Sequence, residues 1–456
     1  MQRSKGNENG MDSANFLKGA FWIAFGGFAA KIIGALYRIP LTNLIGGYGL
    51  GLYQMVYPVY CLLLTLSATG IPSSIAKLTA EQIALGNDGR AVLRQALKLF
   101  LRIGLAASVI MAITAPLLSR AQGSEQVLGG YFMLAPSVLI VSIISVFRGW
   151  FQGKNNMFPT AVSEIVEQLI KVGFGLIFAY IFQAVIERAV VFLLLAVTLS
   201  EIGTLLVMFW FYKRVPAPTV QKNEAGMVEM KRIVKLAIPV AFNSILLPLS
   251  ALLDSILVPR LLGGYEPSAV TLYGLFSGGA ATVVGLPVSV CYGLAAASIP
   301  RVAAATRIQD FTERKRVIRK RIRSAFFFTV LLGGVSAIGL YAFAEPAAKL
   351  IFRSLSEREL YTLVGLIKAY AISALTLSCV QTLSACLTAQ GKPQYAALSM
   401  LIAVSIKTAC YVFLLRDANI SIFGLAYATN VCYLVAFFLD FMYNRIVSGR
   451  RKGERT

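Results

Sequence analysis

Histidine is absent from all 456 residues. That absence excludes Ser-His-Asp and Cys-His catalysis, His-ligated metals and haem, and proton relays through imidazole. Acidic residues are scarce, 21 against 43 Lys and Arg, and charged residues make up only 14% of the chain, against roughly 25% in an ordinary soluble domain. The six cysteines (Cys61, Cys291, Cys379, Cys386, Cys410 and Cys432) form no CxxC pair. Zinc, iron–sulfur and thioredoxin-type sites therefore have no support, and the thiols are expected to be small buried residues. Neither a metal nor a cofactor is expected.

What is present is apolar. Hydrophobic residues reach 57% and the mean hydropathy is +0.71. They fall into a dozen blocks of about 20 residues or more, each able to cross a hydrocarbon core about 30 Å thick. Continuous runs, as opposed to short alternating segments, exclude an outer-membrane barrel. The pattern predicts an all-α polytopic membrane protein of about twelve helices, at roughly 16–38, 52–84, 93–119, 126–152, 159–186, 189–212, 231–260, 268–305, 324–344, 358–390, 393–415 and 421–444. The first block, from Phe16, carries Lys31 and Arg38 and has no small-residue cleavage site after it, so it reads as a retained helix. With the N-terminus inside, about 29 of the 43 basic residues fall in cytoplasmic segments and about six in external ones. Both termini are then cytoplasmic. The densest cluster, from Arg314 to Arg323, is accounted for by anionic lipid headgroups, so the net charge of +22 is not read as nucleic-acid binding.

The two halves repeat. Ile45-Gly46-Gly47-Tyr48 returns as Leu262-Gly263-Gly264-Tyr265, Ile71-Pro72 as Ile299-Pro300, and Gln152-Gly153-Lys154 as Gln390-Gly391-Lys392. Six helices per half is an even number, so both halves insert in the same orientation, as parallel repeats. The expected organisation is a tail over 1–15, an N-lobe over 16–212, a polar linker over 213–230, a C-lobe over 231–444 and a basic tail over 445–456. Pro58, Pro72, Pro239, Pro248 and Pro287 each remove a backbone hydrogen bond inside a predicted helix. Such breaks persist in a membrane only where protein or a wet cavity satisfies the freed carbonyls. Two lobes that rock about a central cavity is the architecture expected; a static duplicated bundle is the alternative.

Ionisable residues inside the spans carry the functional reading, because each costs about 2.5–3.5 kcal/mol or more at a helix centre unless solvated or paired. Lys31 and Arg38 share a face of helix one. Helix five holds Glu164, Glu167, Gln168 and Lys171, with Glu167 and Lys171 spaced to pair along the helix. Glu201 lies in helix six, Asp254 in helix seven, Lys368 in helix ten and Lys407 in helix eleven. Lys171 and Lys407 follow their Gln-Gly-Lys triplets at similar distances and so sit at similar depth. Lys31, Arg38, Lys171 and Lys407 are the expected substrate contacts, suited to an anionic phosphate-bearing group. Glu164, Glu167, Glu201, Asp254 and Lys368 are candidates for gating or coupling, with an Arg38–Asp254 pair at an outer gate among the possibilities. The plainer readings are snorkelling of Arg38 and Lys77 to headgroups and a purely structural Glu167–Lys171 pair.

Leu17-Lys18-Gly19-Ala20, Lys31 to Ala35, Tyr37-Arg38, Leu44-Ile45-Gly46, and Gly51-Leu52-Tyr53-Gln54-Met55-Val56-Tyr57-Pro58 through Gly70-Ile71-Pro72 resemble the start of the stage V sporulation protein B family. That family belongs to the polysaccharide-exporter branch of the multidrug/oligosaccharidyl-lipid/polysaccharide flippase superfamily. The resemblance implies two six-helix lobes around a cationic cavity and translocation of undecaprenyl-pyrophosphate-linked sugars. It also implies a cavity role for Lys31 and Arg38. Lipid II flippases of the superfamily commonly carry two further C-terminal helices, whereas the helical pattern here stops at the twelfth. The expected protein is a non-enzymatic flippase, a monomer in the cytoplasmic membrane, driven by a monovalent cation, a proton or the membrane potential. A drug/cation antiporter and a non-transporting scaffold are the competing readings.

Overall fold

The computed structural model describes residues 2–68, 70–216, 244–306 and 308–449, without the side chains of 2–21, 23–25, Phe28, Lys31, Ala35, Tyr292, 294–301 and 448–449. Among the described residues the regular structure is helical: α1 (Gln2–Ala68), α2 (Ile71–Ala84), α3 (Arg90–Ala121), α4 (Leu128–Gly153), α5 (Phe158–Ile181), α6 (Ile186–Lys213) and α7 (Leu246–Leu262). There follow α8 (Ala269–Gly274), a π-helical turn (Leu275–Ala280), α9 (Ala281–Ala305), α10 (Phe311–Ala342), α11 (Ala344–Ile351), α12 (Glu357–Tyr370), α13 (Ile372–Ala389), α14 (Pro393–Leu414) and α15 (Phe423–Gly449). Nine of the described helices or helix runs are long and apolar enough to cross a membrane. Exposed Phe327, Phe328, Leu331, Val335 and Ile338 along α10 have the composition of a lipid-facing surface.

Several boundaries differ from expectation for local reasons. The loop expected between residues 38 and 52 does not form. Helix continues to Ile45, breaks only at Gly46 (φ 64°), and resumes at once, because one left-handed glycine is enough to redirect the chain. It then runs through Pro58 and stops before Gly70, whose φ of 82° precedes the N-terminus of α2, with Pro72 in the first turn, where a missing N–H costs nothing. The basic cluster expected in a loop is the first part of α10, started by Asp310, whose carboxylate accepts from the N–H groups of Thr312 (3.1 Å) and Glu313 (3.0 Å). The external segment expected over 345–357 contains the short helix α11, and the single helix expected over 358–390 is divided at Ala371. A capping box of Ser356 and Glu359 opens α12. Pro239 and most of the expected linker lie outside the described residues.

The chain divides into two compact units, Met1–Ile45 with Met55–Pro248, and Gly46–Gln54 with Leu249–Thr456. Inside the first, α4 packs on α2, α3 and α6, and α5 on α6. Inside the second, α13 packs on α9, α10 and α15, and α14 on α15. Numbered by span, these are the same four pairings, so the sequence repeat is also a repeat of packing. The short segment 46–54 is held in the second unit by contact too close for side chains: a Cβ on Gly51 would lie 2.1 Å from the Val270 carbonyl oxygen.

Candidate functional site

The first unit encloses a cavity of about 270 Å³ lined by Tyr57, Tyr60 and Cys61 of α1, Arg148 of α4, Glu167 and Lys171 of α5, and Glu201 of α6, among apolar neighbours. Arg148 donates from Nη2 to Glu167 Oε2 (3.0 Å) and from Nε to Ser163 Oγ (3.0 Å). Glu201, 5% exposed, accepts a long hydrogen bond from the Tyr60 hydroxyl (3.5 Å). Glu164 lies at the α1–α5 contact, with Oε2 3.7 Å from where a Cβ on Gly27 would stand. The ion pair of Glu167 is made by Arg148, a planar guanidinium with two fixed donors, and not by Lys171, the partner that helical spacing offered. Lys171 is left facing the cavity, with Glu167, Glu201 and Arg38 as its charged neighbours. Arg38 is half-buried. The side chain of Lys31 lies outside the described residues.

Arg148 is the participant that sequence reading missed. It stands five residues before the end of α4, where an arginine reads as an ordinary snorkelling cation. Its spatial partner, 19 residues away, cannot be found from helical spacing. With it included, the lining charges among the described residues are two basic and two acidic.

The second unit treats its lysine differently. Lys407 is 5% exposed, forms an ion pair with Asp254, and donates to Ser250 Oγ (3.0 Å). This corrects the expectation of a free cavity cation, and it gives Asp254 a partner within its own unit. Burial drives the pairing, since either charge alone would be costly in so dry a position. Tyr411, fully buried, lies beside Asp254. Lys368 does not join this group: it is exposed on α12, with Glu345 of α11 within electrostatic reach. Lys77 is exposed on α2.

The helix ends put the two lysines in register. Asn155 (φ 55°) and Gly391 (φ 74°) are the left-handed residues ending α4 and α13. In both places the following N–H closes back on the helix, Asn156 to Phe151 O and Lys392 to Leu387 O, each at 3.0 Å. Lys171 and Lys407 each stand 16 residues beyond their anchor (positions 155 to 171, and 391 to 407). They are equivalent positions of the repeat. Taking Ile45 and Leu262 as the matching ends of the helices before each Gly-Gly-Tyr, Asp254 corresponds to Tyr37, the neighbour of Arg38.

A helical chain with repeated packing, lipid-suited outer faces and buried ionisable clusters in each half is a polytopic membrane transport protein by architecture. Known proteins resolve the class further. The family model for polysaccharide biosynthesis proteins matches residues 16–306, and the chain belongs to that family. It is 27% identical to stage V sporulation protein B of Bacillus subtilis (strain 168) over 357 residues, covering 75% of this chain and 68% of that one. It is 23% identical to the lipid II flippase MurJ of the same strain, covering 92% and 82%. Among solved structures, an inward-facing multidrug MATE transporter of the MOP superfamily superposes with a TM-score of 0.77 at 16% identity, covering 91% and 94%. The inward closed form of lipid II flippase MurJ gives 0.67 at 15%, covering 93% and 87%. The chain is thus a multi-pass cell-membrane protein of the flippase and transporter superfamily.

Proposed function

We propose that the protein moves a lipid-linked oligosaccharide, carried on an undecaprenyl-pyrophosphate-type anchor, across the cytoplasmic membrane by alternating access. In this reading twelve spans form an N-lobe (16–212) and a C-lobe (231–444), joined by the linker at 213–230, with both termini cytoplasmic. The chain acts as a monomer, without metal or cofactor, and catalyses no bond change. The observation that supports it is the cavity of the first unit, where Lys171 faces open space with Arg38 nearby, while Glu167 is already engaged by Arg148. An ammonium beside a guanidinium suits a pyrophosphate. Lys31, on the Arg38 face of the same helix, is assigned to the same group.

A transport cycle needs the two end states to differ in ligand affinity. Glu201 and Glu164 are the carboxylates proposed to exchange a proton or monovalent cation with the headgroup's arrival, and the membrane potential acts on the same charges. The Lys407–Asp254 pair is proposed as the element of the C-lobe that holds one state. A second reading, export of cationic drugs against an ion gradient, draws on the balanced charge of the cavity and on the MATE-like fold.

The test is reconstitution in liposomes with a fluorescent undecaprenyl-pyrophosphate oligosaccharide, scored by its accessibility at the outer surface. Replacing Lys171 by Met removes one charged hydrogen-bond donor and should weaken headgroup binding roughly ten- to hundred-fold, with the folded protein recovered in normal yield. Undiminished flipping by Lys171→Met, or efflux of a cationic dye that the variant leaves intact alongside no flipping by the parent protein, would sink the proposal.

A further inference from the structure

The second unit contains another cavity, unrelated to the Lys407–Asp254 pair, of about 670 Å³. It is lined by Arg319, Ile322, Arg323 and Phe326 of α10, Leu383 of α13, and Phe441, Asn444 and Arg445 of α15. On α10 the four positions run i, i+3, i+4, i+7, a single face of the helix. On α15 the three run i, i+3, i+4. Three guanidinium groups thus look into one hollow, and no carboxylate is among its lining residues.

The hollow is a constructed one. Phe326 stacks on Phe437 (centroids 6.0 Å, planes 11° apart) and meets Phe441 (6.4 Å), forming an apolar wall. The Arg445 guanidinium lies 4.7 Å from the centre of the Phe441 ring. Asn444 is 4% exposed and donates to the carbonyls of Leu383 (3.0 Å) and Asp440 (2.9 Å), while its own oxygen accepts from Gln390 Nε2 (2.9 Å). Four of the eight lining residues are therefore apolar, three are arginines, and the eighth, Asn444, is held by its own hydrogen bonds.

We infer that this pocket holds the headgroup of an anionic glycerophospholipid, its phosphodiester between Arg319, Arg323 and Arg445 and its first acyl carbons against Phe326 and Phe441. A guanidinium offers two parallel donors to a phosphate, and the charged end of α10 continues into an apolar span, which places the cavity where headgroups meet hydrocarbon. The need for both halves of the lining distinguishes this from attraction by a diffuse basic surface.

Native mass spectrometry of the purified full chain, titrated with phosphatidylglycerol, phosphatidylcholine or undecaprenyl phosphate, tests it. One phosphatidylglycerol should be retained in preference to phosphatidylcholine. Arg319→Gln with Arg323→Gln should weaken its retention about thirty-fold. Arg314→Gln with Arg316→Gln, on the same helix but outside the cavity, removes equal charge and should keep the bound lipid. Folding of both variants is checked by melting temperature without added lipid. Equal losses in the two variants, no preference over phosphatidylcholine, or displacement of phosphatidylglycerol by undecaprenyl phosphate at equal concentration would each overturn the assignment.

Discussion

The two halves share a packing plan and a lysine in the same register, yet the lysines live in opposite electrostatic surroundings. Lys171 faces a polar cavity with Arg38 as a neighbour; Lys407 is dry and bound to Asp254. The difference arises on the preceding repeat-equivalent helix, which supplies Tyr37-Arg38 in one half and Asp254-Ser255 in the other. A duplicated fold thus keeps its backbone solution while one lysine lines a cavity and the other is buried in an ion pair. The lesson is that equivalent register, which the repeat specifies, does not specify electrostatic surroundings.

The comparison breaks most sharply at Lys407. Lys407→Ala strands Asp254 in a position where Lys407 and Asp254 side chains are only 6% and 13% exposed. Breaking such a pair by removing one partner costs about 3–5 kcal/mol. Lys407→Met together with Asp254→Leu should recover most of that loss, because two apolar residues of similar bulk replace both charges. Unfolding in detergent, run as a double-mutant cycle, measures the coupling; a single variant as stable as the parent would show that the pair adds nothing to the stability of this half. Under the proposed function Lys171→Met behaves oppositely, losing transport and keeping stability.

Arg148 ranks next. Its pair with Glu167 is wetter, at 16% and 20% side-chain exposure, so Arg148→Ala should cost about 2–3 kcal/mol, below the buried case. The position equivalent to Arg148 in the other half is Ser384, which donates to Asp440 (2.5 Å). Ser384→Ala removes a neutral donor and should cost less than Arg148→Ala in the same unfolding assay. A reversed order would mean that the Arg148–Glu167 bridge is solvent-compensated and adds little.

Much of this was legible in the sequence, for identifiable reasons. Apolar blocks of membrane-spanning length fixed most of the spans, since their signal needs only composition. The ordered recurrence of Gly-Gly-Tyr and Gln-Gly-Lys exposed the repeat and brought Lys171 and Lys407 to equivalent positions in it. Pairing was not legible. Arg148 and Glu167, or Lys407 and Asp254, are 19 and 153 residues apart, and helical spacing offered Glu167 a nearer but weaker partner in Lys171. Boundaries at Gly46 and Asp310 also escaped, because a single left-handed glycine and a single capping carboxylate decide them against the local hydropathy.

The smallest effects sharpen the repeat itself, at its matching triplets. Gly153 and Gly391 occupy the same place in sequence and different places in structure. A Cβ on Gly153 would stand 2.6 Å from both the Ala76 carbonyl oxygen and Thr79 Cβ, whereas Gly391 has open space around it and a φ of 74°. Gly153→Ala should therefore force α2 and α4 apart at about 1–3 kcal/mol, the usual cost of overpacking. Gly391→Ala meets no steric obstacle and should cost about 1 kcal/mol through backbone conformation alone. Asn155, which takes the left-handed role in the first half, tolerates that conformation, so Asn155→Gly should change stability by only a few tenths of a kcal/mol. Melting temperatures of the three variants test the assignment: a larger loss from Asn155→Gly than from Gly391→Ala would mean that these residues are not the equivalent helix ends, and the register linking Lys171 to Lys407 would have to be redrawn.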